Sequence, residues 1–180
     1  MTYVFLAEGF EEIEALTPVD LLRRAGEKTV TVGVTGKLVT GSHGIGVTAD
    51  ITIEEAAASK TNADMIVLPG GLPGADNLRE NAIVREFISR ADRAGAYIAA
   101  ICAAPRILGE LGLLEGKQAV CYPGFEKYLR GAKISDAHVV RDTNIITGIG
   151  MGAATEFSLA LVEALVSKEE SDKLRKGIIA

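Results

Sequence analysis

A short, wholly apolar run that ends in a turn constrains the architecture of this chain more than any other stretch. Ala96-Tyr97-Ile98-Ala99-Ala100-Ile101 shows no polar/apolar alternation, the pattern of a strand buried on both faces of a parallel sheet. Directly after it stand Cys102-Ala103-Ala104-Pro105, then Ile107, Leu108 and Leu111 at helical spacing. Proline suits the first turn of a helix, where its missing N–H has no partner to lose. A strand running straight into a helix is half of a βαβ unit, and a sheet buried on both faces needs helices on both sides.

The rest of the chain repeats that alternation. Tyr3 to Ala7, Thr29 to Val34 and Asp64 to Leu68 read as strands, and so do Gln118 to Tyr122, His138 to Arg141 and Asn144 to Thr147. Lys37 to Ala49 alternates weakly between glycines and reads as a hairpin at the sheet edge. Helices are expected at Ile53 to Ala57, Val84 to Ala94 and Thr155 to Val166. Thr17-Pro18 resembles a helix start, with Thr17 as cap, in a helix that stops at Gly26. Residues Glu11 to Leu16 either form a preceding turn or extend that helix through a proline kink. The implied fold is α/β: a doubly wound, mostly parallel sheet with helices on both faces, in a single domain spanning residues 1–180.

Cys102 lies at the strand–helix junction among four alanines, small enough to permit a cramped backbone. This is the setting of a nucleophile elbow with sulfur in place of the serine oxygen. A helix N-terminus favours negative charge, so a lowered thiol pKa is expected there. The competing reading is a buried cysteine acting as a small apolar residue, as Cys121 is expected to be.

In open α/β sheets, ligands bind beyond the carboxyl ends of the strands. Three loops meet that description: Glu8-Gly9-Phe10-Glu11-Glu12 with Glu14, the pair Gly70-Gly71, and the elbow at Cys102. Glycine at 70 and 71 lets backbone N–H groups approach a ligand, as an oxyanion site requires, although a turn needing positive φ uses glycine equally well. Glu11, Glu12 and Glu14 each also read as solvated charges at a helix start, favourable there through the helix dipole.

Composition narrows the function classes. A net charge of -5 and a pI near 5.2 give no basic surface for nucleic acid. No apolar run reaches membrane-spanning length and no basic leader precedes an apolar segment, so a cytoplasmic protein is expected. Two widely separated cysteines and two histidines make neither a disulfide framework nor a metal-ligand spacing. Gly148-Ile149-Gly150-Met151-Gly152-Ala153 loosely matches a dinucleotide fingerprint, but no acidic residue follows on a further strand. No Walker sequence is present.

The pieces Ala7-Glu8-Gly9-Phe10-Glu11-Glu12-Ile13-Glu14, Val67-Leu68-Pro69-Gly70-Gly71, Ala99-Ala100-Ile101-Cys102-Ala103-Ala104-Pro105 and Glu156-Phe157-Ser158-Leu159-Ala160-Leu161 together resemble the ThiJ/PfpI family, in the branch of the parkinsonism-associated protein deglycase. The resemblance implies a flavodoxin-like sandwich, a reactive Cys102, a protonated carboxyl partner at Glu14, and oxyanion donors from the backbone of Gly71 and Ala103 or Cys102. It also implies a homodimer and no cofactor. Activities in the branch are conversion of methylglyoxal or glyoxal to hydroxy acids, deglycation, oxidative sensing and chaperone-like holding. Tyr122 stands where many relatives carry a histidine, and Ala103 where peptidase-like relatives carry one, which argues against peptide hydrolysis. The His-x-Glu of a glutamine amidotransferase is missing, since Val139 and Val140 follow His138. In the family Gly150 falls in the segment that shapes the site mouth, and His43 aligns with a position that is basic in some relatives, near the site across the dimer. With Tyr122 these form the expected substrate-binding set. The expectation is a cysteine-dependent enzyme of small dicarbonyl or glycated substrates. The alternative is a sensor or holdase built on an oxidisable Cys102.

Overall fold

Alternate residues of the first strand, β1 (Thr2–Leu6), enter two different cores. Tyr3 and Phe5 pack on one side and Val4 and Leu6 on the other, because successive strand side chains point to opposite faces. Around β1 the computed structural model, which describes residues 1–59 and 61–180, builds three layers. In chain order the next elements are α1 (Glu12–Arg24), β2 (Thr29–Gly33), β3 (Leu38–Thr40), β4 (Gly46–Thr48), β5 (Ile51–Thr52) and α2 (Ile53–Ala58). Then come β6 (Met65–Leu68), α3 (Gly74–Glu80), α4 (Ala82–Arg93), β7 (Tyr97–Ile101) and α5 (Pro105–Glu110). The chain closes with β8 (Gln118–Ala119), β9 (Lys133–Ile134), β10 (Val139–Asp142), β11 (Ile145–Gly148), α6 (Ala154–Leu165) and α7 (Lys168–Gly177).

Seven strands form the main sheet in the order β10-β11-β7-β6-β1-β2-β5. All neighbours run parallel except β10, which pairs antiparallel with β11. This is the mostly parallel α/β sheet expected. One face is covered by α1 and α6, where Ala15, Val19 and Leu22 meet Phe157, Leu161 and Val162. The other is covered by α2 to α5 through Ile53, Leu78, Phe87, Ile88, Ile107 and Leu108. Successive connections leave β1 in opposite directions, toward β2 and toward β6, so the sheet switches direction between β1 and β6. That is where open sheets leave a crevice for ligands.

Several local expectations need correction. Thr17 caps nothing: α1 begins at Glu12 and runs through Pro18, its start capped by the Glu11 carboxylate, which accepts from the Glu14 N–H at 2.8 Å. Pro18 simply forgoes one helical hydrogen bond. The strand expected over Gln118 to Tyr122 shrinks to β8, which pairs with β9 outside the main sheet. It ends early because Val120 N–H turns to Thr147 Oγ1 and Tyr122 N–H to the Cys102 carbonyl. Cys121 is buried as expected, but in no strand. His138 precedes β10 and is exposed, with Glu156 3.7 Å away. The hairpin forms as β3–β4.

Candidate active site

β1, β6, β7 and β11 end side by side, and each contributes one part of a small cleft. The sharpest bend is at Cys102, whose φ is +63°, a left-handed conformation that costs a residue with a Cβ about 1–2 kcal/mol. Two hydrogen bonds hold it: Cys102 N–H donates to the Gly148 carbonyl at 2.9 Å, and Tyr122 N–H donates to the Cys102 carbonyl at 2.8 Å. The alanines on either side are buried, so the turn sits in a wall with no room for larger side chains. Pro105 opens α5 as expected.

Glu14 reaches the thiol from α1. It is fully buried, and its Oε2 accepts from Gly70 N–H at 2.9 Å. A Cβ on Gly70 would lie 2.5 Å from Glu14 Oε2, 2.7 Å from Cys102 Cβ and 3.1 Å from the sulfur. Glycine is therefore the residue that lets carboxyl and thiol share one space. Gly71 has φ +83°, and a Cβ there would meet the Gly9 carbonyl at 2.6 Å. The loops after β1 and β6 thus touch backbone to backbone, tied also by Glu11 N–H to the Gly70 carbonyl at 3.0 Å.

Glu14 Oε1 has no hydrogen-bond partner among the described residues. Burial pushes the Glu14 carboxyl up from 4.5 to about 7, against the pull of the Cys102 thiol and with a push from the Glu11 charge. The Cys102 thiol is pushed up to about 12, first by burial and then by the charge and hydrogen bond of Glu14, while the N–H groups of Gly71 and Ala103 act to lower it. This corrects the expected lowered thiol. The helix that should lower it is short and starts three residues later, whereas the carboxylate is adjacent. Carboxyl and thiol titrate as a unit: the pair takes one negative charge near neutrality and resists a second. Cys121 is also pushed up to about 12, by burial and the Glu126 charge.

The other expected residues divide. Gly70 gives its N–H to Glu14, so among the proposed oxyanion donors Gly71 and Ala103 are the ones whose N–H groups act on the sulfur. Gly150 is at the site: a Cβ on it would lie 3.2 Å from the Tyr122 ring and 3.9 Å from Glu14 Oε1. Tyr122 is half exposed beside it. His43 is held on the hairpin of its own chain, and its expected place near the site is the one across a dimer. Its ring Nδ1 bonds Glu12 Oε2 at 2.8 Å on the β3–β4 hairpin, which raises the His43 pKa and lowers Glu12 to about 2. Glu11 and Glu12 are buried rather than solvated, one capping α1 and the other paired with His43. The sequence reading passed over Met151, whose N–H adjoins Glu14. Its signal was the glycine-rich stretch directly after a strand. Glu11, Glu12 and His43 also bring three possible ligand atoms within 4.8 Å of one another, but they are committed to one another and to the α1 start. Among the described residues no helix is long and apolar enough to cross a membrane.

Known proteins resemble this chain in sequence and in fold. Protein dj-1beta of Drosophila melanogaster is 37% identical over 179 residues, covering 98% of this chain and 95% of its own. A Caenorhabditis elegans relative named glutathione-independent glyoxalase DJR-1.2 is 32% identical over 172 residues, covering 95% of this chain and 91% of its own. The solved structure of oxidized Toxoplasma gondii DJ-1 superposes with a TM-score of 0.93 at 37% identity, over 99% of this chain and 97% of that one. The profile of the DJ-1/PfpI family matches residues 2–164, the span that holds the elbow, its carboxyl partner and the glycines between them. With fold, profile and near full-length relatives in agreement, the chain belongs to the DJ-1/PfpI family.

Proposed function

We propose that this protein is a cofactor-free, cysteine-dependent enzyme that converts small 2-oxoaldehydes, methylglyoxal and glyoxal among them, into 2-hydroxy acids. The observation that carries the reading is the buried Glu14 carboxyl, whose Oε2 accepts from Gly70 N–H and shares with the Cys102 sulfur the space that a Gly70 side chain would fill. A group with a pKa near the working pH is suited to take and return a proton. The relative that bears the name of a glutathione-independent glyoxalase supports the same chemistry.

The steps balance without an external oxidant. Glu14 takes the thiol proton as sulfur adds to the aldehyde carbon, giving a hemithioacetal whose oxygen is met by the N–H groups of Gly71 and Ala103. Glu14 returns that proton to the oxygen, then removes the proton on the former aldehyde carbon while the hydroxyl proton passes to the neighbouring oxygen, giving an enediolate. Returning the carbon-derived proton to the neighbouring carbon yields a 2-hydroxy thioester, and water releases the hydroxy acid and the thiol. One carbon is oxidised, its neighbour is reduced, and one water is consumed.

The test is lactate formation from methylglyoxal without glutathione, metal or nucleotide. Wild type should form lactate, with kcat/KM rising through a pH of about 7 as Glu14 ionises. Cys102→Ser should abolish the reaction. Glu14→Gln should lower it by about 10²–10⁴-fold, the usual worth of general acid–base assistance. Absence of lactate above the buffer rate, with Cys102 verified reduced, would overturn the reading. A second reading draws on the relative solved in an oxidized form: a carboxyl beside sulfur suits a cysteine that takes two oxygens from peroxide, each transfer releasing one water, and holds as a sulfinate. Peroxide-treated protein should then gain two oxygens at Cys102 in wild type and a different number in Glu14→Leu.

A further inference from the structure

Beside the thiol–carboxyl pair lies an open recess of about 330 Å³. Its walls are Tyr122, Pro123, Ile149 and Met151, its inner end is Gly150, and His138 stands at the rim. The lining is mostly apolar side chain and glycine backbone, and among the described residues around it only His138 and Tyr122 can titrate. Met151 and Tyr122 are 46% and 45% exposed, so two large apolar groups face solvent at the mouth of a cleft.

The recess meets the reacting groups at Gly150. A methyl group there would sit 3.9 Å from Glu14 Oε1 but only 3.2 Å from the Tyr122 ring, so the missing side chain is what lets the ring and the carboxyl close on the glycine from either side. Both walls are attached to the site itself. Tyr122 N–H is bonded to the Cys102 carbonyl, and Met151 N–H adjoins Glu14. A substrate whose aldehyde carbon is on sulfur and whose next carbon faces Glu14 would carry its remaining substituent on the Gly150 side, where the recess lies.

We infer that this recess selects the substituent of the substrate, favouring 2-oxoaldehydes that carry a neutral apolar group, aryl or branched alkyl, with Met151 and Tyr122 as specificity-determining residues. The inference rests on the proposed reaction for its substrate, but the pocket is a separate physical claim. A cavity of roughly 150 Å³ is enough to hold a benzene ring, so an aryl group fits. The walls offer such a group apolar surface and, among the described residues, no lysine or arginine, which leaves charged or sugar-like substituents poorly partnered. Glyoxal has no substituent and gains nothing from the recess.

Two measurements test the pocket and the reaction separately. The first is the ratio of kcat/KM for phenylglyoxal to that for glyoxal, expected to exceed about tenfold in wild type, the lower end of what apolar contacts supply. Met151→Gln should cut the ratio about tenfold, while Met151→Leu, apolar and of similar volume, should keep it. The second needs no turnover. The chain has three methionines, of which Met65 is buried in the core and Met1 begins β1's approach, so the Met151 methyl is readily separated by NMR. Acetophenone, an unreactive aryl ketone, should shift that methyl in wild type and in Cys102→Ser, and acetone should not. A shifted methyl with no turnover of any oxoaldehyde upholds the pocket and overturns the proposed reaction. Turnover with a ratio near one, a ratio unmoved by Met151→Gln, or a Met151 methyl unmoved by acetophenone overturns the pocket while the reaction stands.

Discussion

Burying Glu14 beside sulfur makes the folded state favour its protonated form, and the sign of the pH effect follows. Its carboxyl ionises at about 7 when folded against an ordinary 4.5. The stability this group contributes is therefore full below about 4.5 and is lost as pH rises through about 7. Glutamine keeps the acceptor for Gly70 N–H without the charge. Glu14→Gln should melt higher than wild type at pH 8, by an amount corresponding to up to about 3 kcal/mol, with the gap closing by pH 4. A gap independent of pH in thermal melts would contradict this. At Cys102 the strain is in the backbone, so Cys102→Gly should be more stable than Cys102→Ala by about 1 kcal/mol in urea unfolding, both being inactive. Equal midpoints would show a relaxed turn. The elbow was legible because strand, small residues and proline are all local in sequence. The direction of the thiol's pKa was not, because it is set by a carboxyl from α1 and by burial, neither of which adjoins Cys102 in the chain.

Among the elements, α3 and α5 are joined by an ion pair more buried than most. Arg106 is 7% exposed at its side chain and holds Asp76 Oδ1 at 2.6 Å, with its guanidinium over the Phe125 ring. Asp76 also has Arg79 at 3.4 Å, and Arg79 reaches Glu110. Removing one member of a buried pair usually costs about 3–5 kcal/mol; Asp76 keeps 37% exposure and a second cation, so Arg106→Ala should cost about 3 kcal/mol. Arg106→Met, which keeps the stem against Phe125, should cost less. An unchanged urea midpoint for the alanine variant would remove α5's anchor from the account. This helix pair also marks the limit of sequence reading. α5 was legible from its apolar spacing, but α3 buries only Gly74, Ala75 and Leu78 and shows no apolar stripe. α7 buries Ser171 alone, packed on α6 through its hydroxyl, although the Ser167–Glu170 spacing carried a readable start signal. The start of α1 was hidden by its cap, because glutamate is not a usual N-cap residue and Thr17-Pro18 offered a more familiar one.

At the scale of the molecule, the αβ alternation was legible and the order of strands was not, since parallel pairing joins segments far apart in sequence. The outer surface adds one expectation. Ile13 on α1 is 51% exposed, and Leu38 and Ile45 on or beside the β3–β4 hairpin are 66% and 55% exposed. The hairpin leans on the start of α1 through His43 and Glu12. We propose that these apolar groups pack between two copies of the chain, as the family resemblance implies, and light scattering at micromolar concentration should give twice 18.9 kDa. A mass of one chain, or no loss of mass in Ile13→Glu relative to wild type, would contradict it. The glycine that lets sulfur and carboxyl share one space has a further consequence for how the protein comes into being. Glu14, Gly70, Cys102 and Gly150 are strung along most of the chain and meet only when strands on either side of β1 are in place. A chain still emerging from the ribosome, or one cut short before residue 150, carries a plain cysteine with plain thiol chemistry. The unusual sulfur is thus a certificate of completed folding, and a thiol reagent, quicker on a plain cysteine than on one buried beside a carboxyl, would count the unfinished molecules in a mixture with finished ones.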